Sequence, residues 1–231
     1  MKKPLLSVSL TEGETVGGWI YFAAELLVIP TVLQLLWTFL FPEATAACFN
    51  FLYYSMNFAA IITIFHGFLK KSAAILKSHP FRTLLFVLLG LLLERLCGIL
   101  SGELLRRLEP AYFNINDSSI AQISRGGFAL MASGMILLVP TAEECLFRGL
   151  LFRGLYDRSR LAAYLVSALC FCAIHVMGYW KEYEARILLM SFLQYLPSGL
   201  CLAWAYEKSD TIITPILIHT LVNAIGVCAL R

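Results

Sequence analysis

Apolar residues run along this chain in blocks of about 20, the length that crosses a bilayer as a helix, separated by short polar clusters. The first block covers residues 18–41, contains Glu25 and Pro30, and stops at Phe41, Pro42 and Glu43. The second, 44–69, is rich in aromatic and small residues and ends at Lys70 and Lys71. The third, 83–100, is shorter and carries Glu94 and Arg95. Residues 101–126 form the one long polar connection, with Asn114, Asn116 and Asp117, and read as a surface loop. Residues 127–155 then read as one helix. At 1.5 Å per residue it reaches about 43 Å, more than a hydrocarbon core of about 30 Å, so it must tilt, protrude or bend near Pro140. Blocks 161–178, 187–206 and 211–230 follow. Seven spans result, or eight if the long helix or the 101–126 connection is broken. The expected fold class is all-α, a polytopic transmembrane helical bundle. Residues 1–123 form a set of N-terminal transmembrane helices, a family-variable half, and 124–231 a functional core.

Composition agrees with a membrane protein. The 231 residues are 59% hydrophobic and 14% charged, with a mean hydropathy of +0.76; a soluble domain has about 45–50% and about 25%. The net charge of +3 gives no reason to expect a nucleic-acid partner. Its distribution bears on topology instead. Ten cations fall on the N-terminal side of the expected spans: Lys2, Lys3, Lys70, Lys71, Lys77, Arg82, Arg153, Arg158, Arg160 and Lys208. Six fall on the other: Arg106, Arg107, Arg125, Lys181, Arg186 and Arg231. The positive-inside rule therefore expects a cytoplasmic N-terminus in the cell's inner membrane. Residues 1–17 read as polar, with no cleavable signal peptide. The seven cysteines are scattered through apolar runs without paired metal-ligand spacing, which argues against a disulfide framework or a zinc ribbon.

The chemistry-bearing stretch is residues 140–155, PTAEECLFRGLLFRGL. It puts Glu143, Glu144 and Arg148 inside an apolar helix, where each charge costs about 2.5–3.5 kcal/mol on insertion scales. Glu144 and Arg148 stand at i and i+4 and can pair. Glu143 points about 100° away and has no basic residue near it in sequence. One carboxylate is neutralised and the other left free. Downstream, Phe171 and His175 stand at i and i+4, as do His219 and Asn223, which share a face and can both donate to one point. A free carboxylate, a second proton-handling group and paired donors are the parts that hydrolysis of a carbonyl by activated water requires.

The order Glu-Glu-x-x-x-Arg, Phe-x-x-x-His, His-x-x-x-Asn resembles the CPBP family, the CAAX-prenyl-protease and bacteriocin-processing (Abi) intramembrane endopeptidases. The resemblance covers about residues 127–228. It implies that Glu143 with His175 activates water, that His219 and Asn223 form the oxyanion hole, and that Glu144 and Arg148 orient the helix and its carboxylate. Phe171 is expected to pack against the His175 ring. The partners implied are the bilayer and a membrane-associated protein or peptide substrate. No cofactor is expected; zinc is the alternative, held by Glu143, His175 and His219, although the chain lacks the compact His-Glu-x-x-His spacing. A non-catalytic immunity or scaffold protein on the same fold, and a proton-relaying transporter, are the other readings. Taken singly, the Glu144–Arg148 pair also reads as structural, and Asn223 as interhelical glue. Centring each helix in the bilayer puts His175 about 9 Å from the depth of Glu143 and His219, at 1.5 Å per residue.

Overall fold

Helix α1 (Glu12–Leu27) starts where Thr11 and Glu14 satisfy each other's orphan groups: the Glu14 N–H donates to Thr11 Oγ1, and the Thr11 N–H to Glu14 Oε2 at 2.8 Å. The second oxygen of the same carboxylate, Oε1, accepts the N–H of Phe68 at 2.6 Å, in the first turn of α4 (His66–Ser78). Glu14 thus serves two helix N-termini at once. The computed structural model describes residues 6–229. Lys2, Lys3 and Arg231 of the charge count lie outside the described residues, as do the ends of the first polar segment and of the last expected span.

The helices fall where the apolar blocks do, with boundaries moved for local reasons. The first block is two helices, α1 and α2 (Ile29–Leu40), bent by 53°, with Pro30 in the first turn of α2, where a missing N–H costs least. The second is α3 (Ala46–Ile64), capped by the Thr45 side chain; Lys70 and Lys71 lie inside α4 rather than ending a span. Helix α5 (Pro80–Leu108) runs eight residues past the expected end at 100. The polar connection is therefore largely ordered, since α6 (Ile115–Ser124) follows, its first turn capped by Asn114. Four helices are long and apolar enough to cross a membrane: α3, α5, α7 (Phe128–Tyr156) and α9 (Ala185–Ser209). The bent α1–α2 pair makes up to five, and α8 (Arg160–Ile174) and α10 (Ile213–Cys228) are shorter apolar helices. The protein is a polytopic helical bundle.

Helix α7 forms the centre of the bundle, packed against α1, α3, α8 and α10. Small residues let neighbours approach. A side chain at Gly199 of α9 would begin 3.0 Å from the Ala168 backbone of α8. One at Gly134 of α7 would begin 2.6 Å from the Tyr54 ring of α3. At one end, residues 6–8 lie against the α9–α10 turn. The Ser7 N–H and Oγ–H both donate to Asp210, at 2.8 and 2.6 Å, Arg153 Nε donates to Val8 O, and Leu6 is fully buried.

Candidate functional site

Helix α7 is not a regular α-helix. Residues Gly134–Leu138 and Cys145–Phe152 adopt π-helical turns, a departure that often marks functional sites. Pro140 accounts for part of the first. The Val139 N–H reaches back five residues to Gly134 O, so the next bond in that register would run from residue 140 to Met135 O, and proline has no N–H to give. The Met135 carbonyl accepts instead from Asn223 Nδ2 of α10 at 2.8 Å. An orphaned backbone acceptor inside an apolar bundle thereby gains a donor from a neighbouring helix.

One turn further on stand the two carboxylates. Glu144 is fully buried, and its Oε1 accepts from Arg148 Nη1 at 3.0 Å and from His219 Nδ1 at 2.9 Å. Arg148, also fully buried, donates through Nη2 to Gly199 O at 3.0 Å, and its guanidinium lies 4.5 Å over the Phe171 ring. This one cation therefore ties α7 to α8 and α9, using the planar, many-donor geometry that a lysine lacks. Glu143 points elsewhere, as the 100° step requires. Its side chain keeps 21% exposure, its Oε2 is 4.0 Å from His219 Nε2, and that oxygen has no hydrogen-bond partner among the described residues. His219 thus sits between the two carboxylates, one nitrogen towards each.

His175 reaches the cluster by another route. Helix α8 ends at Ile174, a turn before the expected 178, and His175 is its C-cap. Its own N–H turns back to Cys172 O, which leaves the Phe171 carbonyl free to pair with His175 Nδ1 at 2.7 Å. A carbonyl only accepts, so Nδ1 carries the proton and the neutral ring presents a lone pair at Nε2. The Phe171 ring lies 4.6 Å from His175, tilted by 53°, and 6.0 Å from His219, T-shaped at 77°, centre to centre, and so lies between the two histidines. On the other side of the sequence map, Tyr195 of α9 stacks on His175 at 4.1 Å.

The motif residues Glu143, Glu144, Arg148, Phe171, His175, His219 and Asn223 lie in or beside one cluster on α7, α8 and α10. Glu143, Glu144, Arg148 and His219 are in direct or near-direct contact, Phe171 is the packing hub, and His175 stands beyond it. Asn223 joins through the backbone of α7. His219 and Asn223 do not meet on one acceptor: each holds a different group, Glu144 and Met135. Sequence reasoning missed Tyr195, which has no fixed spacing to any motif, and Met135, whose carbonyl matters only because of the π turn. Glu94 and Glu25, which had no assigned role, are interhelical acceptors. Glu94 takes Ser198 Oγ–H at 2.6 Å besides Arg95, and Glu25 takes the Tyr53 hydroxyl.

Residues 125–225 match the family described as type II CAAX prenyl endopeptidase, Rce1-like. That region, less than half of the chain, is similar to the CPBP (CAAX protease) family. The helices before residue 125 lie outside that match. Over 95 residues the chain is 28% identical to the UPF0177 protein YxdF of Lactococcus lactis subsp. lactis (strain IL1403), covering 41% of this chain and 47% of that protein. The similar region thus spans about half the length of this curated relative. No solved structure matches the chain.

Proposed function

We propose that this protein is an intramembrane endopeptidase that hydrolyses a peptide bond of a membrane-associated protein or peptide. The observation that carries the reading is the asymmetry of the two adjacent glutamates. Glu144 is held through Oε1 by Arg148 and His219, with only its Oε2 left over, whereas no hydrogen bond among the described residues holds Glu143, whose Oε2 is buried beside an imidazole nitrogen. A purely structural pair has no need of the second carboxylate. An unpaired carboxylate in an apolar bundle is a functional-site signal by default.

In this mechanism Glu143 and the Nε2 lone pair of His175 take the proton of the attacking water, and the hydroxide adds to the scissile carbonyl. The charge that develops on the carbonyl oxygen is met by His219 and Asn223. Asn223 uses one amide hydrogen on Met135 O and keeps the other. His219 donates from Nδ1 to Glu144, so it must be the imidazolium to donate from Nε2 as well. Two carboxylates around one guanidinium balance that charge. Glu144 and Arg148 hold the imidazole in register rather than touching substrate. Proton return to the leaving amine completes peptide hydrolysis.

Zinc fits these residues poorly. No three His, Cys, Asp or Glu side chains among the described residues converge as a metal-ligand set. A glutamate-based reaction uses the set as it stands. By analogy with the CAAX prenyl endopeptidase description, a lipid-modified protein is one substrate class, and an unmodified membrane-bound peptide precursor the other.

The test compares membranes holding the wild-type protein with membranes holding Glu143→Gln, with new peptide termini read by mass spectrometry. Termini present with the wild type and absent with the variant, at equal protein level, support the reading. Identical termini in both would sink it, and the scaffold reading would take its place. Metal content and chelator treatment of the purified protein complete the test: one zinc per chain, lost with activity in His219→Ala, overturns the metal-free chemistry.

A further inference from the structure

Nothing in the motif residues themselves fixes the plane of His175. Its Nδ1–H bond to Phe171 O holds the ring at one edge only, and Phe171 meets it at a tilt of 53°. Tyr195 is what remains. Its ring lies 4.1 Å from the imidazole at an interplanar angle of 27°, a stacked contact. The phenol is itself held at its far end. Its hydroxyl accepts from Asn116 Nδ2 at 3.0 Å and lies 3.0 Å from Asp117 Oδ1 and 3.3 Å from Asn114 Oδ1, one of which takes its proton. All three partners belong to the first turn and cap of α6. The polar connection thus reaches the histidine through one aromatic ring.

We propose that Tyr195 is a positioning residue for His175, stacking on the imidazole so that its Nε2 lone pair keeps one direction, and that the Asn114, Asn116 and Asp117 cluster of α6 fixes Tyr195 in turn. The proposal rests on His175 acting as a proton acceptor, but its geometric content does not. A base must hold its lone pair on the proton it removes, and small misplacements cost rate steeply. A phenylalanine stacks equally well but has no hydroxyl to hold, so the two halves of the device separate cleanly by mutation.

The experiment is nuclear magnetic resonance of histidine-labelled protein in lipid nanodiscs, with His175 assigned as the signal lost in His175→Gln. The wild type is expected to show the Nδ1–H tautomer, with ring protons shifted upfield by the stacked phenol. In Tyr195→Leu those protons move downfield and the two tautomers mix; Tyr195→Phe, which keeps the ring but loses its anchor on α6, is expected to retain only part of the upfield shift. Unchanged His175 signals in folded Tyr195→Leu overturn the proposal. Should that variant fail to fold, the Asn116→Ala, Asp117→Ala pair on α6 decides. Altered His175 ring shifts uphold the proposal and unaltered ones overturn it. None of these signals requires turnover, so they stand apart from the outcome of the Glu143→Gln comparison.

Discussion

The second and seventh helices are both apolar, yet they live in opposite surroundings. Helix α2 buries none of its twelve residues, whereas all eight residues of the π-helical Cys145–Phe152 segment are buried, Arg148 among them. Hydropathy alone does not separate the two. What separates them is the partner each side chain finds: Leu35, Leu36, Phe39 and Leu40 of α2 are exposed, and a bilayer would be as apolar as they are. The α7 charges are held by a carboxylate, an imidazole, a backbone carbonyl and an aromatic face. The family match begins at residue 125, so the similarity falls on the region whose interior is specified atom by atom. The helices before it contribute surface, packing and one capped junction.

That contrast is sharpest at Arg148. Arg148→Gln leaves Glu144 buried with only His219 and removes the tie to the Gly199 carbonyl, and should cost about 3–5 kcal/mol of stability. Denaturant unfolding in bicelles checks it, and a loss below about 1 kcal/mol would mean that the pair is not the centre of the bundle. The next effect is smaller. Asn223→Ala leaves the Met135 carbonyl without a donor and should cost about 1–3 kcal/mol. In a Pro140→Ala background residue 140 regains an N–H, so the same substitution should cost less there. A double-mutant cycle measures the difference, and strict additivity would show that the proline does not create the need for the asparagine. If Asn223 also serves the oxyanion, its alanine variant lowers kcat about 10²–10³-fold in either background. The smallest effect belongs to α2. Phe39, 84% exposed, replaced by Ala should change stability by no more than about 0.5 kcal/mol. A larger loss would reveal a partner on that face and weaken the contrast between the two helices.

How much of this was legible in the sequence follows the same division. The helical bundle and the positions of its long helices come from apolar blocks, because a bilayer imposes both composition and length. The Glu144–Arg148 pair follows from i and i+4 spacing and is present at 3.0 Å. What periodicity did not give was tertiary or irregular. The bend between α1 and α2, the continuation of α5 to Leu108 and the helix inside the polar connection all depend on local capping and packing rather than hydropathy. The pairing of Asn223 with Met135 depends on a π turn that shifts the register by one residue, which regular helix arithmetic does not contain. His175 reaches its place because α8 stops a turn early, and Tyr195 is found only once α9 is laid beside it.

The attachment of residues 6–8 to the α9–α10 turn sets an order of events in the life of the chain. The hydrogen bonds between Ser7 and Asp210 join residues 203 apart. During synthesis at about 5–20 residues per second, about 10–40 s pass between the appearance of the first partner and the second. For that interval Ser7 waits without its partner, while α1 to α8 are being made ahead of the turn that supplies Asp210. The clasp therefore closes only after the ninth helix has been made, and what it reports, by closing, is that this helix has arrived in register with the first.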